Sequence, residues 1–91
     1  MSDREKAQRE IEEFLINSLN ISPHRIMSDL IDYGNGKIRI LKWSYTNYSM
    51  EIQIIKPDCI IVNGKGKEII KYCGKYDSVD ELKAKFLNKE Q

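Results

Sequence analysis

The sequence has few histidines, cysteines and tryptophans, and it lacks the long apolar runs that mark a membrane span or a secretory signal. Across 91 residues it has one histidine, two cysteines and one tryptophan, and no apolar run approaches the roughly 18 residues that a membrane span needs. The charged stretch MSDREKAQRE lacks the apolar segment of a secretory signal. With two cysteines and no such signal, we expect a cytoplasmic protein with free thiols.

The same scarcity limits metal-binding and catalytic sites. His24 follows Ser22-Pro23 in a predicted turn without an identifiable partner, so we interpret it as an exposed loop residue. Cys59 lies among isoleucines and is predicted to be a small core residue, whereas Cys73 has lysines nearby and is the more reactive candidate. The glycine- and lysine-rich stretch 63–67 lacks the following helix that a phosphate loop needs. We therefore predict no cofactor, no metal and no enzymatic activity.

The charges are unevenly distributed along the chain. Residues 1–36 have four basic and seven acidic side chains, which gives a net charge of −3. Residues 37–75 have eight basic and three acidic side chains, which gives +5, although the whole chain carries only +1. Such asymmetry produces a local positive field on a nearly neutral protein.

Two segments have the amphipathic pattern of helices, and each begins with a capping box. In the first, Ser2 to Asn20, the box is Ser2 with Glu5, and in the second, Asp77 to Asn88, it is Ser78 with Glu81. The predicted apolar stripes are Ala7, Ile11, Phe14, Leu15 and Leu19 in the first helix, and Val79, Leu82 and Phe86 in the second, with Leu87 as a further candidate.

Between the helices lie short runs that alternate or are wholly apolar, as in β-strands. We predict strands over residues 37–44, 49–56, 59–63 and 67–73, joined by turns at 45–48, at Pro57-Asp58 and at 63–66. The stretch 21–33 has two interpretations. Ser22-Pro23 could start a helix that ends at Gly34, whereas Asn35-Gly36 is a strong hairpin signal and favours a strand over 25–33.

These elements predict one α+β domain over residues 1–91. It has an N-terminal helix, an antiparallel meander of four to five strands and a C-terminal helix, with both helices on one face of the sheet.

The faces of the predicted strands suggest where a partner would bind. We expect Ile38, Ile40, Met50, Ile52 and Ile54 to face the helices. The opposite face would then carry apolar side chains where a solvated sheet face should be polar, which is typical of an interface. The predicted partner-binding residues are Arg39, Leu41, Trp43, Tyr45, Tyr48, Ile55, Lys65 and Lys67.

Two functional hypotheses follow. The first is a small non-enzymatic binding or regulatory protein that acts on a protein partner or as a homodimer, a class that includes regulators and inhibitors of phages and mobile elements. The second is a nucleic-acid-binding protein that uses basic and aromatic side chains on an open sheet. The near-neutral pI of 7.7 favours the first.

Overall fold

A computed structural model describes residues 2–34 and 36–88. Its elements are helix α1 (Asp3–Asn17), strands β1 (Met27–Asp32), β2 (Lys37–Tyr45), β3 (Tyr48–Lys56), β4 (Cys59–Lys65) and β5 (Gly74–Tyr76), helix α2 (Val79–Leu87), and single 3-10 turns at Pro23–Arg25 and Ile70–Tyr72. The strands form one antiparallel sheet in the order β1-β2-β3-β4-β5, and both helices contact it. The predicted α+β class and its meander are confirmed.

Both predicted capping boxes start their helices. The Ser2 and Ser78 hydroxyls accept the backbone N–H groups of Glu5 (3.2 Å) and Glu81 (3.0 Å). Helix α1 ends at Asn17, earlier than predicted. Asn20 has a left-handed backbone with φ 58°, a conformation that asparagine tolerates and that stops a helix.

The two helices also contact each other above the sheet. The rings of Phe14 and Phe86 meet edge to face with their centroids 6.3 Å apart, and Lys83 Nζ lies 3.1 Å from Glu10 Oε2. Of the candidate stripe residues in α2, Leu87 is exposed and contributes little to this layer.

The ambiguous stretch before Gly34 contains a strand, as the hairpin signal indicated. Asp32 pairs with Lys37 across the turn, the Tyr33 N–H donates to the Gly36 carbonyl at 2.8 Å, and the Asp32 carboxylate accepts the Gly34 N–H at 3.1 Å. Asn35, the other half of the Asn-Gly signal, lies outside the described residues.

The predicted faces of β2 are wrong. In the β2–β3 pairing Leu41 lies opposite Ile52 and Trp43 opposite Met50, and directly opposed residues share a face. The core formed with the helices therefore contains Leu41 and Trp43, which are 0% and 4% exposed. Ile38 and Ile40 are absent from that cluster and lie on the other face.

The connection between β2 and β3 causes this reversal. Tyr45 pairs with Tyr48, so only Thr46 and Asn47 form the loop. A two-residue loop fixes the hairpin register, and a shift of one residue would exchange the faces of a whole strand. Both alternating sets of β2 contain two large apolar residues, so the pattern within that strand did not determine its orientation.

The last predicted strand is also wrong. Instead of extended structure over 67–73, successive turns follow Gly66, whose φ is +137°. The N–H of Tyr72 donates to the Ile69 carbonyl at 2.9 Å. Because this turn brings residues three apart onto one side, Ile69 and Tyr72 both pack against the core. The Tyr72 ring stacks on Phe86 with the ring centroids 4.6 Å apart. The strand begins only at Gly74, and β4 extends through the stretch predicted as a turn, as far as Lys65.

Substitution of Trp43 tests the corrected face assignment. We expect Trp43→Ala to lower the unfolding free energy by about 3–5 kcal/mol because it empties a buried site. The neighbouring Lys42→Ala, on the exposed side of the same strand, should change it by about 0.5 kcal/mol or less. Urea titration followed by far-UV circular dichroism measures both, and similar losses for the two variants would contradict this assignment.

Tyr76 gives a second prediction. Burial raises the pKa of its phenol above 10.0, and the nearby Cys73, Glu81 and Tyr72 add to the shift electrostatically. Its hydroxyl donates to the Tyr72 carbonyl at 2.6 Å. The Tyr76 phenol loses its proton at a lower pH in the unfolded chain than in the folded one. Its contribution to the free energy of unfolding should therefore be complete below about pH 10 and be lost as the pH rises through the folded-state pKa.

We expect Tyr76→Phe to cost about 1 kcal/mol at neutral pH through the lost hydrogen bond and to flatten the alkaline decline. Urea midpoints from pH 8 to about pH 11 measure both effects. Tyr33→Phe, at an exposed position, is the control. An alkaline decline in Tyr76→Phe as steep as in the wild type would contradict the assignment.

Candidate functional site

The structure separates the predicted partner-binding residues instead of collecting them on one face. Leu41 and Trp43 are buried in the core and expose almost no surface to a partner. Arg39 lies half-buried on the helix-facing side. By the alternation of their strands, Ile55 and Lys65 belong to the opposite side, and Lys67 lies in the turns between β4 and β5.

The aromatic residues of this group form one cluster on the helix-facing side. The rings of Tyr45 and Tyr48 stack at 5.4 Å, the Trp43 indole N–H donates to the Tyr48 hydroxyl at 3.2 Å, and the Arg25 guanidinium lies 4.4 Å from the centre of the Tyr45 ring. These contacts anchor the β2–β3 hairpin to the core. They leave the rings engaged with one another, so they do not form an open stacking platform.

The face of the sheet away from the helices, called the open face below, carries an apolar strip. The strip consists of Ile31, Ile38, Ile40, Ile55 and Ile61, which the pairing and the strand alternation place on that side. Ile40 is only 8% exposed although it is not part of the helix-covered core. Side chains on neighbouring strands must therefore shield it, and its direct neighbours in the sheet are Asp29 and Gln53.

Charged groups surround this strip. Lys42 lies 3.8 Å from Asp29, with both side chains about half exposed, so the ion pair is weak and solvent-screened. Glu51 is held by a 2.9 Å hydrogen bond from the Gln53 amide. An apolar strip with a charged rim is typical of an interaction surface.

Strand β1 forms a free edge of the sheet next to this face. All six of its residues are exposed, and its pairing is with β2. Large apolar side chains are exposed along it and just beyond its end, namely Met27, Leu30, Ile31 and Tyr33. Apart from the charges of Asp29 and Asp32, the edge has none of the usual features that prevent further strand pairing, such as proline, lysine or a register irregularity. The opposite edge, β5, is only three residues long.

The hydrogen-bond pattern of the β1–β2 hairpin identifies which backbone groups of β1 point outward. Tyr33 and Gly36 form a hydrogen-bonded pair at the turn. Because hydrogen-bonded and non-hydrogen-bonded pairs alternate in antiparallel strands, Asp29 and Ile31 direct their N–H and C=O groups toward β2. Ser28, Leu30 and Asp32 direct theirs away from the sheet, where another strand could bind them.

The other features are less suited to a function. A groove of about 550 Å³ is lined by Tyr48, Tyr72 and the 67–71 segment, but its lysines and Glu68 are exposed and do not form a built site. Among residues 2–34 and 36–88, no three His, Cys, Asp or Glu side chains are grouped to hold a metal ion. His24 is exposed beside the start of β1, and Cys59 and Cys73 are half-buried free thiols.

No helix in the described part of the chain is long and apolar enough to cross a membrane. No protein-family model matches the chain, and no curated protein or solved structure is significantly similar to it. The arguments for a function therefore rest on the β1 edge and the open face.

Proposed function

We propose that this is a small non-enzymatic binding or regulatory protein that contacts a protein partner through the β1 edge and the adjacent open face. One observation carries the proposal: β1 is exposed along its whole length, yet it presents apolar side chains and outward-pointing backbone groups. A strand that serves only as a sheet edge is usually shorter, more charged or irregular.

An added strand would satisfy the backbone of β1 and cover its side chains together. Pairing at Ser28, Leu30 and Asp32 would provide main-chain hydrogen bonds, each contributing about 0.5–1.5 kcal/mol net. The side chains would supply specificity because they alternate. Leu30 lies on the helix-facing side, whereas Met27 and Ile31 lie on the open face beside the isoleucine strip.

The charges around the edge indicate the partner's chemistry. β1 itself carries Asp29 and Asp32, while β2 behind it carries Lys37, Arg39 and Lys42. An occupant therefore needs an apolar residue opposite Leu30 and no acidic residue opposite either aspartate, because like charges on opposed residues are destabilising.

The nucleic-acid hypothesis has less support in this geometry. It required aromatic and basic side chains on one open surface. Trp43, Tyr45 and Tyr48 lie on the helix-facing side, whereas Lys42 and Lys65 lie on the open face. A role as a regulator or inhibitor remains compatible with a small domain whose exposed features are an edge and an apolar strip.

Affinity capture with edge variants tests the proposal. Tagged wild-type protein, Leu30→Pro and Leu30→Val are incubated with extract of the source organism, and the bound proteins are identified by mass spectrometry. Leu30→Pro removes an N–H that points away from β2 and has no partner among residues 2–34 and 36–88, and edge strands tolerate proline. Leu30→Val keeps the N–H and the apolar character. Circular dichroism confirms that both variants fold.

We expect a defined protein partner that binds the wild type and Leu30→Val and is lost with Leu30→Pro. A partner that binds all three equally would contradict the use of this edge. A parallel capture from nuclease-treated extract separates the two hypotheses, since loss of binding after nuclease would favour the nucleic-acid alternative.

A further inference from the structure

We infer that the occupant of the β1 edge is a second copy of this chain, paired antiparallel with Leu30 opposite Leu30 on a two-fold axis. This inference rests on the proposed use of the β1 edge. It goes further in specifying the partner, the register and the resulting assembly.

The backbone allows only certain registers. In a symmetric antiparallel pair, outward-pointing residues must bond to outward-pointing residues of the other copy. Ser28, Leu30 and Asp32 point outward and stay paired with one another when the two-fold axis passes through a residue of this strand, because moving the axis by one residue shifts the pairing by two. An axis at Ser28 or Asp32 would pair at most three strand residues of each copy, so the axis can lie at Asp29, Leu30 or Ile31. The Leu30-centred register pairs 28–32 of each copy and brings Met27 opposite Tyr33.

The two shifted registers are less favourable. A register centred on Asp29 places the two Asp29 carboxylates directly opposite each other, and like charges at opposed positions are destabilising. A register centred on Ile31 pairs residues 28 and 29 with Gly34 and Tyr33, beyond the end of the strand.

Charges in the Leu30-centred register are complementary. Asp32 of one copy lies opposite Ser28 of the other on the helix-facing side. The Ser28 hydroxyl already accepts a hydrogen bond from Arg39 Nη1 at 3.1 Å, so this guanidinium lies beside the incoming Asp32 carboxylate. Arg39 Nε is also buried without a hydrogen-bond partner in the described part of the chain. Asp29 faces the apolar Ile31 of the other copy and keeps Lys42 as its own counter-ion.

Apolar groups meet across the same junction. The two Leu30 side chains, each 42% exposed in the isolated chain, oppose each other on the helix-facing side. On the open face, Ile31 of one copy lies opposite Asp29 of the other copy. That Asp29 is paired with Ile40 of its own β2. The isoleucine strips of the two copies therefore approach each other across the axis.

The helix layer leaves room for this assembly. Helix α1 contacts β3 and α2 contacts β5, and the three residues of β1 on the helix-facing side, Ser28, Leu30 and Asp32, are all exposed. A two-fold axis perpendicular to the sheet keeps all four helices on one side. It joins two five-stranded sheets into one of ten strands, within the usual size of open sheets.

Oligomeric state tests the pairing first. Size-exclusion chromatography with light scattering, from about 1 µM to about 1 mM, should show a dimer that dissociates on dilution. Leu30→Lys, which keeps the fold but places a charge on the axis, should weaken dimerisation by about tenfold or more in Kd. The control is Thr46→Lys, at the exposed turn away from β1, which should dimerise as the wild type does.

Single-cysteine crosslinking tests the register. A symmetric pair brings only the axial residue close to its own copy, so Leu30→Cys should form a disulfide-linked dimer under mild oxidation, with Cα atoms about 5.5 Å apart. Asp29→Cys and Ile31→Cys should remain at the wild-type level, which measures the background from Cys59 and Cys73. Crosslinking at position 29 or 31 instead would overturn the register.

The outcomes separate this inference from the proposed function. A monomer at every concentration overturns self-pairing. If a different protein is then captured in an edge-dependent way, the proposed function stands with another occupant. A dimer that is insensitive to Leu30→Lys overturns the use of β1 for self-association.

Discussion

The arrangement of this domain depends on the two-residue connection between β2 and β3. With Tyr45 paired to Tyr48, the register places Trp43 against Met50 and Leu41 against Ile52. That register sends the two large side chains into the core and leaves Ile38 and Ile40 on the open face. The stacked tyrosines and the Trp43–Tyr48 hydrogen bond hold the hairpin at this position. The strip on the open face is therefore a consequence of one short loop.

The free edge has a related origin. The β1–β2 hairpin extends the sheet past the region that the two helices cover, so β1 is fixed by its pairing on one side and is exposed on the other. At the other end of the sheet, β5 is short because the turns after Gly66 use the apolar residues Ile69 and Tyr72 for packing. The domain thus has one short edge and one long, apolar edge, and the long one is suited to binding.

Much of the fold could be predicted from local signals. The capping boxes at Ser2 and Ser78 mark both helix starts, and the alternation of Met50, Ile52 and Ile54 identifies the inner face of β3. These signals are strong because each involves residues close in sequence and one dominant physical preference.

The open face and the exposed β1 edge were harder to predict, because they depend on relations between strands. In β2 each alternating set contains large apolar residues, so only the register with β3 decides which set is buried. The predicted turn at 45–48 already implies that register, because Ser44 opposite Ser49 and Tyr45 opposite Tyr48 belong to one pairing, but the faces were assigned from the alternation within each strand. The 67–73 segment alternates like a strand, but packing of Ile69 and Tyr72 on the core overrides the pattern. Which strand edge is exposed does not follow from the sequence, since exposure depends on where the helices lie.

Residue-resolved amide hydrogen exchange along β1 tests the central claim, that one side of this strand is bonded and the other free. In a dilute sample, we expect protected amides at Asp29 and Ile31, which face β2, and fast exchange at Ser28, Leu30 and Asp32. Protection at Leu30 with fast exchange at Ile31, or equal rates at all five amides, would contradict the account.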